Sequence, residues 1–384
     1  MFEESDIDDY GDKSESMTCH EFTRKLPKTV RKRGHLQAKE FFNLSYNNTA
    51  YLDAIRYIYP AKNLCERKSY TEKLILILII SDTSVSGSIF RQAIRATWAK
   101  NLTEQNGWTI RIGFIIGNQT HGRQRTNISE EVHHYHDIIQ ASIGDGYDKL
   151  TEKTIMGFRW AQQYCSKALL IMRITHDVVV NVRGLIKEAE LFHAQQTTRL
   201  YLGKTIRNAT IMKRGKYKFR SPVRWPTNKY PAFQAEPGYV ISMDLAIELN
   251  AMFCRTPIAF PDDTYVGALV DALGVNATTR KLFTFSHRYK ENDLIMVTNN
   301  TIIVHFVRWT SKAVEKNPTF LYNDMKKVSD ALLRNNAKAI KESYRVGRNK
   351  PILKPKLKYR NVLRNKNAKV PASKRRLISQ KYRI

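Results

Sequence analysis

The sequence has no apolar segment long enough to cross a lipid bilayer. Its longest purely aliphatic run, at residues 74–80, suits one buried strand, whereas a membrane-spanning helix needs about 20 apolar residues. The N-terminus also lacks the apolar core of a signal peptide, because seven of its first fifteen residues are acidic. The 384 residues themselves therefore predict neither a membrane anchor nor a secretion signal.

Cysteine is scarce as well, and its spacing excludes one class of metal site. The four cysteines lack the close pairs that structural zinc sites use. Cys65, Cys165 and Cys254 either include one disulfide, which requires an oxidising compartment, or remain buried thiols. Both alternatives stay open from the sequence.

Acidic residues are outnumbered by basic ones, 35 to 64, which gives a formal net charge of +29. Twenty basic residues and two acidic ones lie in residues 326–384, which form a basic C-terminal tail. We expect this tail to be solvated, with contact to an anionic partner such as phosphate, nucleic acid or a membrane surface as the alternative. Because the tail has no zinc-ligand spacing and no aromatic–glycine signature of an RNA-binding sheet, no nucleic acid is expected as the main partner.

Strand-like and helix-like patterns alternate through the middle of the chain. Aliphatic and β-branched runs at 74–80, 108–116 and 168–174 are separated by helical patterns at 90–99 and 148–165. This alternation predicts an α/β domain with a mostly parallel central sheet. We place that domain at residues 51–325, after a poorly ordered N-terminal segment, 1–50, and before the tail, 326–384.

Asparagine sequons point to a secretory compartment despite the missing signal. Eight Asn-x-Ser/Thr sequences are more than the few expected by chance in this length, although each alone is weak. They begin at Asn43, Asn47, Asn101, Asn118, Asn127, Asn208, Asn276 and Asn299.

The segment ALLIMRITHDVVVN, residues 168–181, places polar side chains at the end of a buried strand. Thr175, His176 and Asp177 follow an apolar run at once. Ligands of open α/β sheets bind beyond the carboxyl ends of the strands, so these residues are candidates for a binding site. The alternative is a simple turn in which Asp177 satisfies backbone donors.

Seven motifs in a fixed order carry a resemblance to a known family. They are RQAIRATW (91–98), FIIG (114–117), HDIIQASIGDGYDKLTEKT (136–154), W-x4-C (160–165), RITHDVVVN (173–181), YPAFQAEPGYVIS (230–242) and DDTYVG (262–267). Together they resemble glycosyltransferase family 31, which comprises β-1,3-galactosyltransferases, β-1,3-N-acetylglucosaminyltransferases and fringe proteins. The resemblance covers about residues 57–310 and implies an α/β fold of the GT-A type, which binds nucleotide sugars.

The resemblance also implies an activity and a location. We expect an inverting transfer of galactose or N-acetylglucosamine from a UDP-sugar donor to a glycan or glycoprotein acceptor, in β-1,3 linkage, at the Golgi membrane or lumen. Arg91 and Arg95 lie on one helical face and are expected to contact the donor diphosphate or acids of the site. Their alternative is a pair of surface arginines. Lys153 matches a family lysine and is expected either to bind the donor or to support the site.

A divalent metal is expected at the end of the strand, where the family has three consecutive aspartates. Only Asp177 remains acidic here, since Thr175 and His176 replace the other two. Manganese accepts imidazole beside oxygen ligands, so we expect Asp177, His176 and His305 to hold Mn²⁺, with less neutralisation of its charge. Thr175 is assigned to substrate binding. Each histidine has the alternative of a satisfied structural residue.

The acceptor side is expected at two later motifs. The resemblance places the catalytic base at the second acid of Asp-Asp-x-x-x-Gly, which is Asp263, with Asp262 beside it. A carboxylate held there takes a proton from the acceptor hydroxyl; the alternative is that both acids cap a helix. Glu236, Gly238 and Tyr239 match the family's Gly-x-Gly-Tyr, with Glu236 in place of the first glycine. Substrate binding is assigned to Asp262, Glu236, Gly238 and Tyr239.

Because two of the family's three aspartates are replaced here, a second function is also considered. A non-catalytic, glycosyltransferase-like protein would bind donor or glycan without transferring a sugar. Asp263→Asn distinguishes the two, because an enzyme loses nearly all its activity and a binding protein loses little.

Overall fold

A computed structural model describes residues 16–24, 48–66, 72–100, 102, 107–118, 128–211, 228–280, 283–286, 301–306 and 310–333. The basic tail lies outside these residues from position 334 onward, and so do five of the eight sequon asparagines. None of the described helices combines the length and the apolarity that crossing a bilayer requires.

The strands of the described residues are, in chain order, β1 Tyr57–Tyr59, β2 Lys73–Ile80, β3 Trp108–Ile116, β4 Ile138–Ala141, β5 Ala168–Thr175, β6 Val178–Val180, β7 Tyr201–Ile206, β8 Phe233–Ser242, β9 Thr278–Thr279, β10 Phe283–Ser286 and β11 Ile303–Phe306. The α-helices are α1 Cys19–Arg24, α2 Thr49–Ala54, α3 Val85–Ala96, α4 Ile128–Tyr135, α5 Leu150–Tyr164, α6 Val182–Ala194, α7 Met243–Phe253, α8 Asp262–Ala272, α9 Ser311–Lys316 and α10 Pro318–Leu333. Two 3₁₀ turns, Lys62–Cys65 and Tyr147–Lys149, are also described.

The central sheet has the strand order β1-β4-β3-β2-β5-β8-β7-β9. Its middle strands β4, β3, β2 and β5 are parallel, whereas β8 runs antiparallel to both β5 and β7. A smaller sheet joins β10, β11 and β6. The predicted α/β class with a mostly parallel sheet is confirmed, as expected for a GT-A-type domain.

The aliphatic sequence of β2 explains its central position. The strand has the sequence KLILILII, and every residue after the first is buried. Strands covered on both faces by helices are near-continuously apolar, because neither side of the strand meets water. Helix α5 is also buried along residues 150–162, although its sequence includes charged residues such as Lys153 and Arg159.

The register of β2 and β5 determines where a site can form. The strands are parallel, and Ile80 at the end of β2 lies opposite Thr175 at the end of β5. The residues that follow the two strands therefore emerge side by side at one edge of the sheet. Crevices at such edges are the usual ligand sites of open α/β folds.

Several details differ from the sequence-based expectations. Part of the N-terminal segment, at residues 16–24, contains helix α1, which a disulfide between Cys19 and Cys254 ties to the end of α7. A second disulfide joins Cys65 to Cys165. The cysteines thus form two disulfides instead of one or none, and Cys19, which was not among the three candidates, takes part. Asp148, the first residue of the predicted helical range 148–165, lies in a 3₁₀ turn, and α5 begins at Leu150.

Candidate active site

A cavity of about 920 Å³ opens at the carboxyl ends of β2 and β5. Ser81 and Asp82 reach it from the end of β2, while Thr175, His176 and Asp177 reach it from the end of β5. The polar residues that the sequence singled out thus line this cavity, and they are more than a solvent-exposed turn.

Asp177 and His305 are in direct contact on the cavity wall. His305 Nε2 lies 2.9 Å from Asp177 Oδ2, and Thr175 Oγ1 donates to Asp177 Oδ1 over 2.7 Å. The pairing of β11 with β6, in which His305 lies opposite Val178, brings these distant residues together. Burial favours the neutral acid, but the hydrogen bond and charge of His305 outweigh it and lower the pKa of Asp177 to about 2. Asp177 is therefore a carboxylate at neutral pH.

His176 has a different environment from His305. Its Nδ1 lies 3.1 Å from Ser81 Oγ, and its ring stacks on Phe90 with the ring centres 4.3 Å apart. Burial lowers the pKa of His176, so the imidazole is neutral. Among the described residues, no three His, Cys, Asp or Glu side chains form a group suited to a metal. Of the three predicted ligands, the structure brings Asp177 and His305 into contact, whereas His176 lies against Ser81 and Phe90.

Arg91 and Arg95 lie behind the cavity wall, not on it. Arg91 donates to both oxygens of Glu131, at 2.7 and 2.6 Å, and to Ser81 Oγ at 3.1 Å. Arg95 forms a two-point ion pair with Asp137, at 2.8 and 2.6 Å, and also binds Glu131. Neither arginine lines the cavity. The expected contact with a donor diphosphate is thus not supported, and Arg91 instead supports the end of β2.

Lys153 does reach the cavity, from one turn into α5. Its ammonium lies 2.5 Å from Asp145 Oδ1 and donates to the carbonyl of Ser81 over 2.8 Å. Both ionic side chains are nearly fully buried, at 2% and 1% exposure. Lys153 therefore fixes the loop that carries Asp145, and its charge is largely balanced there.

The described lining of the cavity is acidic despite the basic chain. Its lining residues include Asp82, Asp145, Asp148, Asp177 and Glu236. The described cation on the same wall is Lys153, whose charge Asp145 already balances. These described side chains by themselves repel a ligand that bears phosphate groups, unless a cation enters with it.

Strand β8 contributes Glu236 to the cavity lining. This side chain is partly exposed and lines the cavity, and the hydroxyl of Tyr147 donates to its Oε1 over 3.3 Å. Burial, followed by the charge of Asp262, raises the pKa of Glu236 above its usual range.

Asp263, the expected base, lies one layer deeper. It is 8% exposed, does not line the cavity, and accepts the backbone N–H of Thr264 at 2.7 Å. Burial, then the charges of Asp262 and Glu236, raise its pKa well above the ordinary range. These three carboxylates therefore interact strongly, and only Glu236 reaches the cavity surface.

A buried ion pair that the sequence analysis missed holds this region. Arg173, inside β5, lies 2.6 Å from Asp262 through Nη2 and Oδ2, and both side chains are almost fully buried. Thr154 Oγ1 donates to the same Asp262 oxygen over 2.8 Å. A charged residue within the apolar run ALLIMRIT was the available signal, because arginine is almost never buried without a partner.

Gly238 and Tyr239 have structural roles instead of the predicted substrate contacts. A Cβ atom on Gly238 would lie 2.6 Å from Cγ2 of Ile174 on the neighbouring strand, so only glycine fits. Tyr239 is fully buried and packs edge-on against Tyr201, with the ring centres 5.6 Å apart. Asp262, bound by Arg173, is likewise fully buried. None of the three lines the cavity.

Comparison with known proteins gives a consistent family. The sequence model of the galactosyltransferase family matches residues 90–281, half of the chain. Beta-1,3-galactosyltransferase 5 of Pan paniscus is 31% identical over 186 residues, which cover 48% of this chain and 61% of that protein. Lactosylceramide 1,3-N-acetyl-beta-D-glucosaminyltransferase A of Danio rerio is 25% identical over 242 residues, 61% of this chain and 62% of that one. The match thus spans just over three fifths of these relatives.

A solved structure shows a looser likeness. The galactosyltransferase LgtC, in complex with donor and acceptor sugar analogs, has a TM-score of 0.33 at 10% identity, covering 65% of this chain and 95% of that one. The fold class rests on the strand order, not on this likeness. The family match includes the end of β5, Glu236 and Asp263, whereas His305 lies beyond it.

Proposed function

Because the chain belongs to the galactosyltransferase family, glycosyltransferase family 31, we propose that it is an inverting, UDP-sugar-dependent hexosyltransferase. It transfers galactose or N-acetylglucosamine to a glycan acceptor in β-1,3 linkage. The observation that carries this proposal is the contact between Asp177 and His305 on the wall of an acidic cavity at the ends of β2 and β5.

Asp177 and His305 are suited to hold Mn²⁺. A carboxylate and an imidazole are both accepted ligands of this ion, and atoms 2.9 Å apart can bind one cation side by side. Thr175 orients the carboxylate through its hydrogen bond. A bound ion would supply positive charge against the donor diphosphate.

The reaction needs a base on the acceptor side. The acceptor hydroxyl oxygen bonds to the anomeric carbon, the bond from that carbon to the diphosphate breaks, and UDP leaves with the electron pair. The hydroxyl proton passes to a carboxylate. The family resemblance favours Asp263 for this role, and the charges of Asp262 and Glu236 act on it.

A Golgi location fits the covalent and surface features of the chain. Both disulfides need an oxidising compartment to form. Asn208 and Asn276, each in a sequon, are exposed and accessible to glycosylation. These features support a glycoprotein of the secretory pathway.

The test is UDP release by the purified full chain, with UDP-galactose or UDP-N-acetylglucosamine, a panel of glycan acceptors and Mn²⁺. We expect Asp177→Asn to reduce release at least about 100-fold, because it removes the charged metal ligand. Asp271→Asn is the matched control, since Asp271 is exposed on α8, away from the cavity lining. Absence of turnover with every donor and acceptor contradicts the proposal.

The second candidate is a non-catalytic protein that binds donor or glycan. It is favoured by Thr175 and His176, which occupy positions where the family has carboxylates. Such a protein would bind a UDP-sugar with Mn²⁺, measured by calorimetry, without releasing UDP. Asp263→Asn would leave that binding largely unchanged.

A further inference from the structure

Strand β8 bulges at residues 235–238, on the wall of the cavity. The pairs of β7 with β8 that flank the bulge are Gly203 with Tyr239 and Thr205 with Gln234. Four residues of β8 thus lie opposite the single β7 residue between these pairs. A β-bulge bends its strand and re-aims side chains, and bulges are common beside ligand sites. Two of the four bulged residues, Glu236 and Pro237, line the cavity. The bulge therefore directs a carboxylate into the cavity.

The side chain at position 236 is a departure of this chain from the family pattern. In Gly-x-Gly-Tyr the first glycine leaves this position without a side chain, whereas the chain has Glu236 there. The second glycine, Gly238, is retained, and a Cβ atom on it would lie 2.6 Å from Cγ2 of Ile174. The backbone packing of the pattern is thus kept, while its first position gains a charged group that can contact a ligand.

Glu236 is tied to the start of α8 through Arg173. The guanidinium of Arg173 donates through Nη1 to the backbone carbonyl of Glu236. Its Nη2 lies 2.6 Å from Oδ2 of Asp262, the first residue of α8. Asp263, the proposed base, comes next in the chain. Because the acceptor hydroxyl must approach that base, Glu236 stands on the acceptor side of the cavity.

Tyr147 supplies an aromatic surface next to this carboxylate. It is 52% exposed and lines the cavity, and its hydroxyl donates to Glu236 Oε1 over 3.3 Å. Its ring also packs edge-on against Phe260, two positions before Asp262, with the ring centres 5.9 Å apart. An aromatic ring covers apolar C–H groups of a ligand, and a carboxylate accepts hydrogen bonds from hydroxyls. A sugar ring presents both kinds of group.

The charge of Glu236 limits the sugars that fit beside it. The neighbouring cation Arg173 is already balanced by Asp262 at 2.6 Å. Asp148, next to Tyr147 in the chain, adds a further carboxylate to the cavity lining. Like charges brought together at a binding site suppress the wrong ligand. A sugar that carries its own carboxylate is therefore disfavoured at this place.

We propose that Glu236 and Tyr147 form an acceptor subsite that selects uncharged sugars, and this inference rests on the proposed transferase function. The ring of Tyr147 packs against the apolar face of the acceptor sugar, and Glu236 accepts hydrogen bonds from the hydroxyls of that sugar. A sugar with a carboxylate at this contact is excluded by the like charge of Glu236. Asp263 keeps the role of base, and Glu236 determines specificity.

The test uses two pairs of probes that differ by one charge. They are p-nitrophenyl β-galactoside with the β-galacturonide, and p-nitrophenyl β-glucoside with the β-glucuronide; in each pair a carboxylate replaces the C6 hydroxymethyl group. Each probe is titrated into the transfer reaction of the full chain with a glycan that the wild-type protein uses. This gives an inhibition constant whether or not the probe receives a sugar. The reactions are run at pH 8 to keep Glu236 ionised, because burial raises the pKa of this carboxyl. We expect the neutral probes to inhibit at concentrations about tenfold lower than the acidic ones.

Four variants separate charge from shape. Glu236→Gln keeps the size of the side chain and removes its charge, and Glu236→Gly restores the residue of the family pattern. We expect both to reduce the preference for neutral probes to less than about threefold, with the donor KM unchanged. Tyr147→Ala should weaken all four probes by about tenfold and keep the preference, because it removes only the aromatic contact. Glu248→Gln is the matched control, since Glu248 pairs with Arg199 outside the described cavity lining.

Three results overturn the inference while leaving the transferase function intact, provided that the wild-type protein releases UDP. They are equal inhibition by neutral and acidic probes, no inhibition by either neutral probe, and a preference that survives in both Glu236 variants. A wild-type protein that releases no UDP with any donor and glycan overturns both proposals. If one Glu236 variant does not fold, the other variant and the wild-type preference decide.

Discussion

Asp262→Asn isolates the energetic role of the buried ion pair with Arg173. Asparagine keeps the shape of the side chain but removes its charge, which leaves a guanidinium that is 1% exposed facing a neutral group. Removing one partner of a buried ion pair typically destabilises a protein by about 3–5 kcal/mol, because the other charge stays buried without compensation. Thr154 Oγ1 can still donate to the amide oxygen, so the hydrogen bond contributes little to this difference.

Urea unfolding, monitored by tryptophan fluorescence, measures this loss of stability. We expect the urea concentration at the transition midpoint to fall, while the dependence of the unfolding free energy on urea stays unchanged. Glu248→Gln is the control, since it removes an equivalent charge from Arg199, whose side chain is 34% exposed. We expect this control to lose at most about 1 kcal/mol, because water replaces the lost carboxylate. The double variant Asp262→Leu with Arg173→Met should regain much of the loss, because it buries no unpaired charge.

Equal losses in Asp262→Asn and Glu248→Gln would refute the reasoning. That result would mean that Asp263 or water compensates Arg173 as well as Asp262 does. The buried pair would then not be the element that holds α8 against β5.

Two further variants test neighbouring assignments. Asp263→Asn should raise the melting temperature at pH 8. The fold raises the pKa of Asp263 above its ordinary value of 3.8, so the folded protein loses stability as the pH rises through the folded pKa. Asparagine is neutral at every pH and avoids this loss. The gain should disappear near pH 4, and calorimetric scans that show the same gain at both pH values would contradict the assignment. Gly238→Ala should destabilise the fold by about 1–3 kcal/mol, because its Cβ would lie 2.6 Å from Ile174. The donor KM should stay unchanged, and a selective rise in KM would restore the predicted substrate role.

Local patterns in the sequence were sufficient for the main elements of the fold. The apolar runs of β2 and β3 lie at the predicted positions, and α5 lies within the predicted helical range 148–165, because residue period and length act over a few neighbours. The predicted position of the site at the end of β5 also agrees with the cavity. The end of an apolar run predicts where a strand ends, and parallel strands have their carboxyl ends at the same edge of the sheet.

The partners of charged residues could not be predicted in the same way. Arg91 binds Glu131, forty positions away, and nothing in the spacing of RQAIRATW identifies that acid. The sequence also does not show which acidic residues reach the cavity. Asp262, Asp263 and Glu236 are all acidic, but of these three only Glu236 lines it. Both depend on how α4 and α8 pack on the sheet, which is a tertiary property.

The two disulfides make nested covalent rings of the chain. Cys65 and Cys165 close the inner ring, and Cys19 and Cys254 close an outer one that encloses it. A single cut of the backbone anywhere between Cys19 and Cys254 therefore leaves both fragments attached until a reductant is added. A protein that starts near residue 50 keeps the inner ring but leaves Cys254 as a lone thiol, able to pair with a second molecule. Preparations meant for activity measurements should retain Cys19.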